Sequence, residues 1–270
     1  AANNTAIGYN ALLVNTTGSS NVAVGANALD ANTTASSNTA LGADALSANT
    51  TGSSNVAVGR NALLSNTTAN YNIAMGTDAL YTNTTGNNNS SFGNSALYNN
   101  TTGNGNIAIG SCAMCGNKTG FGNIAIGTFA LGAGASTPDY NVAIGYSAGN
   151  NVTSGDNNIF IGKDAGSAVD KGGNSAKFVI DTNGKLGIGV NSPSTAMHLK
   201  ASDAYFTMQA SSSSGNAGIL FKDSGGTQNS VILYDFDDDY LKITTNNDTE
   251  RLRIDSSGRT LIGHNANLSE

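Results

Sequence analysis

Asn55-Val56-Ala57-Val58-Gly59-Arg60-Asn61-Ala62-Leu63-Leu64-Ser65-Asn66-Thr67-Thr68 decides the fold, because nearly the same phrase stands seventeen residues away on either side. Its glycine recurs at Gly8, Gly25, Gly42, Gly59, Gly76, Gly93, Gly110, Gly127, Gly145 and Gly162, a step of seventeen that is once eighteen. Asn stands four places before each of these glycines, from Asn4 through Asn21 and Asn55 to Asn158. Ala stands three places after each, from Ala11 through Ala28 and Ala62 to Ala165. Leu or Met follows that alanine in the first seven copies, and Asn-Thr-Thr closes the first six. Self-similarity at a short fixed period marks a chain that stacks one unit repeatedly.

Within the unit, Val56-Ala57-Val58 alternates β-branched and small residues, which is a strand pattern, and so short a repeat leaves no room for a pair of helices. The chain is therefore expected to be all-β, opening with a β-solenoid of ten coils. Asn21 and Gly25, like Asn55 and Gly59, suit corners that need left-handed backbone and side-chain to backbone bonds, with Asn stacking into ladders. Together with Ala23, Ala28, Ala57 and Ala62 they are read as structural. Successive strand residues point to opposite sides, so Val56 and Val58 face away from Ala57. The expectation is that one face fills the coil while the alanine column (Ala6, Ala23, Ala40, Ala57, Ala74, Ala108, Ala125) lies outside. Ten coils at roughly 4.8 Å each make that stripe roughly 48 Å long, and identical chains should cover so large an apolar patch.

Composition narrows the function. Of 270 residues only 11% are charged, with 34 Gly, 2 Pro and no Trp, which disfavours an ordinary charged-surface enzyme. Glycine follows no three-residue period, against collagen, and 39% apolar residues argue against simple disorder. A net charge of −6 and a pI near 4.7 point away from nucleic acid and from anionic membranes. Apolar runs of four or five residues are too short for membrane insertion, and Ala1-Ala2-Asn3-Asn4 is no signal segment. Cys112 and Cys115 alone make no disulfide framework, so the redox compartment stays open.

Charge also divides the chain. Up to residue 150 only Arg60, Lys118, Asp30, Asp44, Asp78 and Asp139 are charged; the remaining charges lie beyond. Three regions are expected: a repeat shaft over 1–169, a connecting neck with a hairpin over 170–195, and a distal β-rich meander over 196–270. Strand-like runs stand at Lys177–Ile180, Met197–Lys200, Ile219–Lys222, Val231–Tyr234, Leu241–Ile243 and Leu252–Ile254. Ile180-Asp181-Thr182-Asn183-Gly184-Lys185 through Ile188-Gly189 is echoed by Ile254-Asp255-Ser256-Ser257-Gly258-Arg259 through Ile262-Gly263, one hairpin type used twice.

The N-x-A-x-G coil resembles the head repeats of trimeric autotransporter adhesins, which are left-handed parallel β-rolls with three chains to a head. The coil here is slightly longer, its extra Asn-Thr-Thr-Gly falling at a corner. The second half resembles distal modules of bacteriophage tail fibres in Gly187-Ile188-Gly189 with Ser192-Pro193, in Leu241-Lys242-Ile243, and in Glu250-Arg251-Leu252-Arg253-Ile254-Asp255-Ser256-Ser257-Gly258. Together the two resemblances cover nearly the whole chain and imply a homotrimeric attachment device. Neither a self-cleaving chaperone nor an outer-membrane anchor barrel is present in the sequence. The chain begins inside a repeat phrase and stops at Ser269-Glu270, so it is read as a segment or a processed product.

Other chemistry is weaker. Cys112-x-x-Cys115 lacks the other half of a zinc site and is read as occupying coil positions, the alternatives being a disulfide or a metal shared around an oligomer axis. Gly184 to Gly189 has the glycines of a phosphate loop without a following helix. Asp235, Asp237, Asp238 and Asp239 are read as a solvated hairpin tip rather than a calcium loop. Asn-Thr-Thr meets the glycosylation rule at six places but is read as turn chemistry, and its stacked threonines are not expected to bind ice. No G-x-S-x-G elbow occurs.

The resulting expectation is a structural and receptor-binding segment of a homotrimeric phage tail fibre, extracellular on the virion, that mediates host attachment. Its expected partners are itself, a host-surface glycan or protein, and other tail proteins. No enzyme activity, cofactor or metal is expected. Tyr205, Phe236, Asp237, Asp238, Asp239 and Tyr240 are the candidate glycan-contacting set, since aromatic rings stack on sugars while carboxylates accept their hydroxyls. Phe206 and Tyr234 beside them are assigned to the core, and Tyr81 with Tyr98 forms an alternative lateral patch. The rival readings are a bacterial trimeric adhesin head and a glycan depolymerase with an intersubunit carboxylate pair.

Overall fold

Each Asn-x-Ala-x-Gly phrase folds as a three-residue strand, and stacking these strands builds the first unit of a computed structural model. The structure describes residues 2–132, 139–152, 155–166, 178–180, 183–188, 190, 193–199, 216–222, 228–245 and 249–263. Ten strands follow at repeat intervals: β1 (Thr5–Ile7), β2 (Val22–Val24), β3 (Thr39–Leu41), β4 (Val56–Val58), β5 (Ile73–Met75), β6 (Ser90–Phe92), β7 (Ile107–Ile109), β8 (Ile124–Ile126), β9 (Val142–Ile144) and β10 (Ile159–Ile161). They pair in parallel, in sequence order and without offset, so Ala57 sits between Ala40 and Ala74. The chain is an all-β solenoid of about nine turns. The same sheet continues through β11 (Phe178–Ile180), antiparallel to β10, then β12 (Leu186–Ile188) and β13 (Met197–Leu199).

The faces of the strand are the reverse of the sequence expectation. Ala23, Ala40, Ala57, Ala74, Ala108 and Ala125 are fully buried inside the coil, and the flanking Val, Ile, Leu and Met point outward, Leu41 46% and Met75 41% exposed. The cause is the width of the interior. In coils two to seven two buried Asn side chains per coil, such as Asn55 and Asn66, together with Ala62 and Leu63 from the opposite wall, leave room for only a methyl group from the strand. The exposed stripe therefore exists, but it is built of β-branched and long side chains rather than alanine.

Both asparagine columns are bonded from coil to coil. Asn55 Oδ1 accepts the backbone N–H of Asn72 at 3.0 Å, and Asn55 Nδ2 donates to Ala69 O at 2.8 Å and to Asn38 Oδ1 at 3.2 Å. Asn66 of the Asn-Thr-Thr corner donates to Asn49 Oδ1 at 2.8 Å and to Ala69 O at 3.1 Å. Turn chemistry thus accounts for these asparagines, and Asn32, Asn49, Asn66, Asn83 and Asn100 have no exposed surface for a glycan. The first threonine of each pair gives its hydroxyl to the next coil, as Thr50 Oγ1 does to Thr67 O at 3.0 Å, leaving a single exposed row.

The wall opposite the strand is a run of overlapping turns, with Ala62 N–H donating to Gly59 O, Leu64 N–H to Asn61 O and Asn66 N–H to Leu63 O. Its residues alternate into left-handed backbone at Asn61 (φ 58°) and Leu63 (φ 53°). A leucine in that region costs about 1–2 kcal/mol, and burying its side chain returns about 1.5–3 kcal/mol, so burial holds the strained conformation. At Gly59 (φ 133°) a Cβ would lie 2.5 Å from the carbonyl oxygen of Gly76, so glycine alone lets successive coils approach. In the tenth coil Phe160 replaces the strand alanine, and Gly149 and Gly166 stand where earlier coils have Leu. A Cβ would come within 2.9 Å of the Phe160 ring at Gly149 and 2.3 Å at Gly166, because that ring fills the vacated volume.

The second unit, Asp203–Glu270, is an antiparallel five-stranded sheet in the order β14 (Asn216–Lys222), β15 (Gln228–Asp235), β16 (Tyr240–Thr245), β17 (Thr249–Ile254) and β18 (Thr260–Ile262). Ile219, Ile232, Ile243, Leu252 and Ile262 are register neighbours and form one apolar row across it. The echoed phrases are both hairpins of equal length, closed by Ile180 opposite Leu186 and by Ile254 opposite Thr260.

Candidate functional site

The tip between β15 and β16 gathers most of the sequence candidates. Asp235 pairs with Tyr240 across the hairpin, and Phe236, Asp237, Asp238 and Asp239 form the turn, Asp239 in left-handed backbone (φ 54°). Asp235 Oδ1 accepts the N–H groups of Asp237 at 3.0 Å and Asp238 at 3.3 Å, which closes the turn. Partial desolvation pushes the Asp235 carboxyl up, but those N–H donors, the Tyr240 hydroxyl and Lys242 outweigh it and hold it below the ordinary aspartate range. The Tyr234 hydroxyl donates to Asp239 Oδ1, a bond that raises the phenol above its usual range.

The rings divide by access. Phe236 is 41% exposed and meets Tyr234 edge-on, ring centroids 4.9 Å apart. Tyr234, assigned to the core from its sequence, is instead 36% exposed. Tyr240 is buried, its phenol raised by burial and then by the Asp235 bond, and the Arg253 guanidinium lies 4.2 Å over its ring. Arg253 is in turn paired with Glu250 at 2.6 Å. Tyr240 therefore supports the tip from below, while Phe236, Asp237 and Asp238 face solvent. Tyr205 and Phe206 lie outside the described residues. This arrangement offers a sugar one ring and several hydroxyl acceptors; among the described residues no group of three or more His, Cys, Asp or Glu is gathered to hold a metal.

A second carboxylate turn in the same unit gives a pH prediction. Backbone N–H donation from Arg259 first, then its guanidinium and the Ser257 N–H, hold the Asp255 carboxyl below its ordinary range against some desolvation. A carboxyl lowered by folding stabilises above its unfolded pKa and loses that contribution as pH falls through the folded value. The amide proton shifts of Ser257 and Arg259 are expected to titrate together, with a midpoint below that of a free aspartate carboxyl. A midpoint at or above that of a free aspartate would contradict the bonding.

On the solenoid, Tyr81 and Tyr98 stack with centroids 4.9 Å apart and planes 7° apart, both half-buried. Cys112 and Cys115 do occupy repeat positions, and they are also joined as a disulfide. The turn bond from Cys115 N–H to Cys112 O brings their Cα atoms to 4.8 Å, within bridging reach. So short a loop limits the entropic gain to about 2 kcal/mol. Reduction is expected to lower Tm slightly and leave the β circular dichroism signal intact.

The outward face of β1 to β10 carries two parallel columns, one residue to either side of the central strand residue, made mostly of Val, Ile, Leu, Met and Phe, with Thr5, Thr39 and Ser90 interrupting the leading column. Sequence reasoning detected the stripe but placed it on the wrong residues. Comparison of the chain with protein-family models, with curated proteins and with solved structures finds no match.

Proposed function

We propose that the chain is a structural and receptor-binding segment of a homotrimeric bacteriophage tail fibre that attaches to the host surface from outside the cell. The observation that carries this reading is the open apolar face running the length of the solenoid, which a lone chain would leave in water. Three chains that turn these faces to a common axis bury them and form a rod. The tail-fibre-like phrases around Leu241–Ile243 and Glu250–Gly258 support a fibre over an adhesin head, and the irregular, charged second unit supplies what a monotonous shaft lacks for discrimination.

Light scattering of the folded protein is expected to give three times the 27.1 kDa mass of one chain, and the mass of a single chain would defeat the assembly. Phe236→Ala and Asp238→Ala are each expected to weaken binding to whole host cells about tenfold, the loss of one ring or one charge-assisted bond at an exposed site. Unchanged binding by both would remove the tip from recognition. Release of reducing ends from host polysaccharide would instead favour a depolymerase.

A further inference from the structure

Exposed aromatic residues are sparse over the first seven coils and then crowd the corners of coils eight and nine. At the corner leading into the strand, Phe121 (41% exposed) and Tyr140 (56%) meet edge-on with centroids 5.3 Å apart. Asp156 follows one coil on, accepting the Asp139 N–H at 2.8 Å. At the corner leaving the strand, Phe129 (40%) and Tyr146 (50%) meet edge-on at 6.2 Å, and Lys163 follows, its ammonium 5.9 Å from the Tyr146 ring. The corners of coils six and seven carry Asn, Ser, Gly and Cys at these places instead.

The two corners border the same apolar face, Ile124 and Ile126 in coil eight and Val142 and Ile144 in coil nine. They also match level by level, phenylalanine with phenylalanine in coil eight, tyrosine with tyrosine in coil nine and aspartate with lysine in coil ten, with Asp139 beside Tyr140 and Asp164 beside Lys163 at the same corners. Such matching has no use within one chain, where the strand separates the two corners. It has one where the leading corner of one chain meets the leaving corner of its neighbour at the same height, as it does around a rotation axis parallel to the solenoid. An antiparallel two-fold pair would instead set coils eight to ten against coils one to three, where these positions hold Ser, Ala, Asn and Asp44 with a lone Tyr9.

The geometry points to a clamp between identical chains: Phe121, Tyr140 and Asp156 of one copy dock on Phe129, Tyr146 and Lys163 of the next, fixing parallel register at this end of the shaft. The inference rests on the trimeric reading, and its occupant is a second copy of this chain, argued from the paired rings and the complementary charges.

The test uses the full chain with Tyr140→Cys, Tyr146→Cys and both together, treated with a mild oxidant and run on a non-reducing denaturing gel. Both side chains are half exposed, so the fold is expected to survive, checked by β circular dichroism. The double variant is expected to run as a covalent trimer and each single variant as a single chain. A double variant that runs as a single chain while light scattering still reports a trimer overturns the clamp and leaves the trimer standing. Single variants that form covalent dimers bring like corners of two chains together, which a rotation axis parallel to the solenoid does not do, and overturn the clamp. Scattering at the mass of one chain overturns both.

As a second measurement, Asp156→Lys and Lys163→Asp are each expected to lower the temperature of trimer dissociation at low salt, and the double exchange to restore it. Failure of the double exchange to restore it overturns the charge pairing. Loss of glycan binding in Tyr140→Ala with dissociation unchanged would make the rings a sugar platform rather than a clamp.

Discussion

Ala57→Glu is expected to unfold the solenoid, whereas Val58→Glu, one residue away, is expected to leave it folded and block its assembly. Ala57 is fully buried among Ala40, Ala62, Leu63 and Ala74, with no basic side chain in that core cluster. An unpaired carboxylate there costs at least about 3–5 kcal/mol, a large part of the stability of an ordinary domain. Val58 points outward and is only half-buried in a single chain, so its replacement meets water until the faces come together. Thermal melting followed by circular dichroism and molar mass by light scattering separate the two outcomes. A folded Ala57→Glu protein of reduced mass would return the alanines to the outside.

Asn55→Asp changes one donor into an acceptor and is expected to make stability depend steeply on pH. The new oxygen would lie where Nδ2 now donates to Ala69 O at 2.8 Å and Asn38 Oδ1 at 3.2 Å, so the carboxylate would face two acceptors in a fully buried site. Burial and repulsion raise the folded pKa above the unfolded value of about 3.9. The unfolded chain then releases its proton more readily, and stability falls as pH rises between the two values. At pH 3 the neutral acid keeps the bond to Ala69 O, and the variant should melt close to the parent. At pH 7 it should lose several kcal/mol, since leaving buried polar groups unsatisfied costs about 1–3 kcal/mol each and a charge costs more. Equal loss at both pH values would mean that the amide donates nothing essential.

The repeat length, the strand at Val56–Val58, the corners at Asn55 and Gly59 and the equal hairpins after Ile180 and Ile254 are legible in the sequence because each rests on local pattern. The direction of the strand is not. Alternation separates Val56 from Ala57 without saying which points inward; that follows from the space left by Asn55, Asn66 and Leu63, which come together only in the closed coil. The left-handed leucines escape for a related reason, since local preference argues against them and burial overrides it. Phe160 with Gly149 and Gly166 leaves a trace in the sequence, a large residue gained where leucines are lost, that becomes meaningful only when those positions are known to face each other. At the hairpin tip, composition finds Phe236 and the aspartates. It does not find that Arg253 from β17 covers the ring of Tyr240, a relation set by strand order.

The zero-offset pairing of successive coils makes length a countable property. Because Ala40, Ala57 and Ala74 sit directly above one another and each coil bonds only to its neighbours, excising residues 43–59 should rejoin ladder to ladder. The rod would be shorter by roughly 4.8 Å, with both ends unaltered. Solenoid length can therefore be gained or lost in whole-coil steps by duplication or deletion of single repeats in the gene. A change in length that is not a whole repeat has to be taken up in a corner, as at the single eighteen-residue step, where Asn141 still bonds to Asn123 Oδ1 through its backbone N–H at 2.9 Å and its Nδ2 at 3.2 Å. The solenoid thus acts as a ruler whose graduations are set by its own hydrogen bonds.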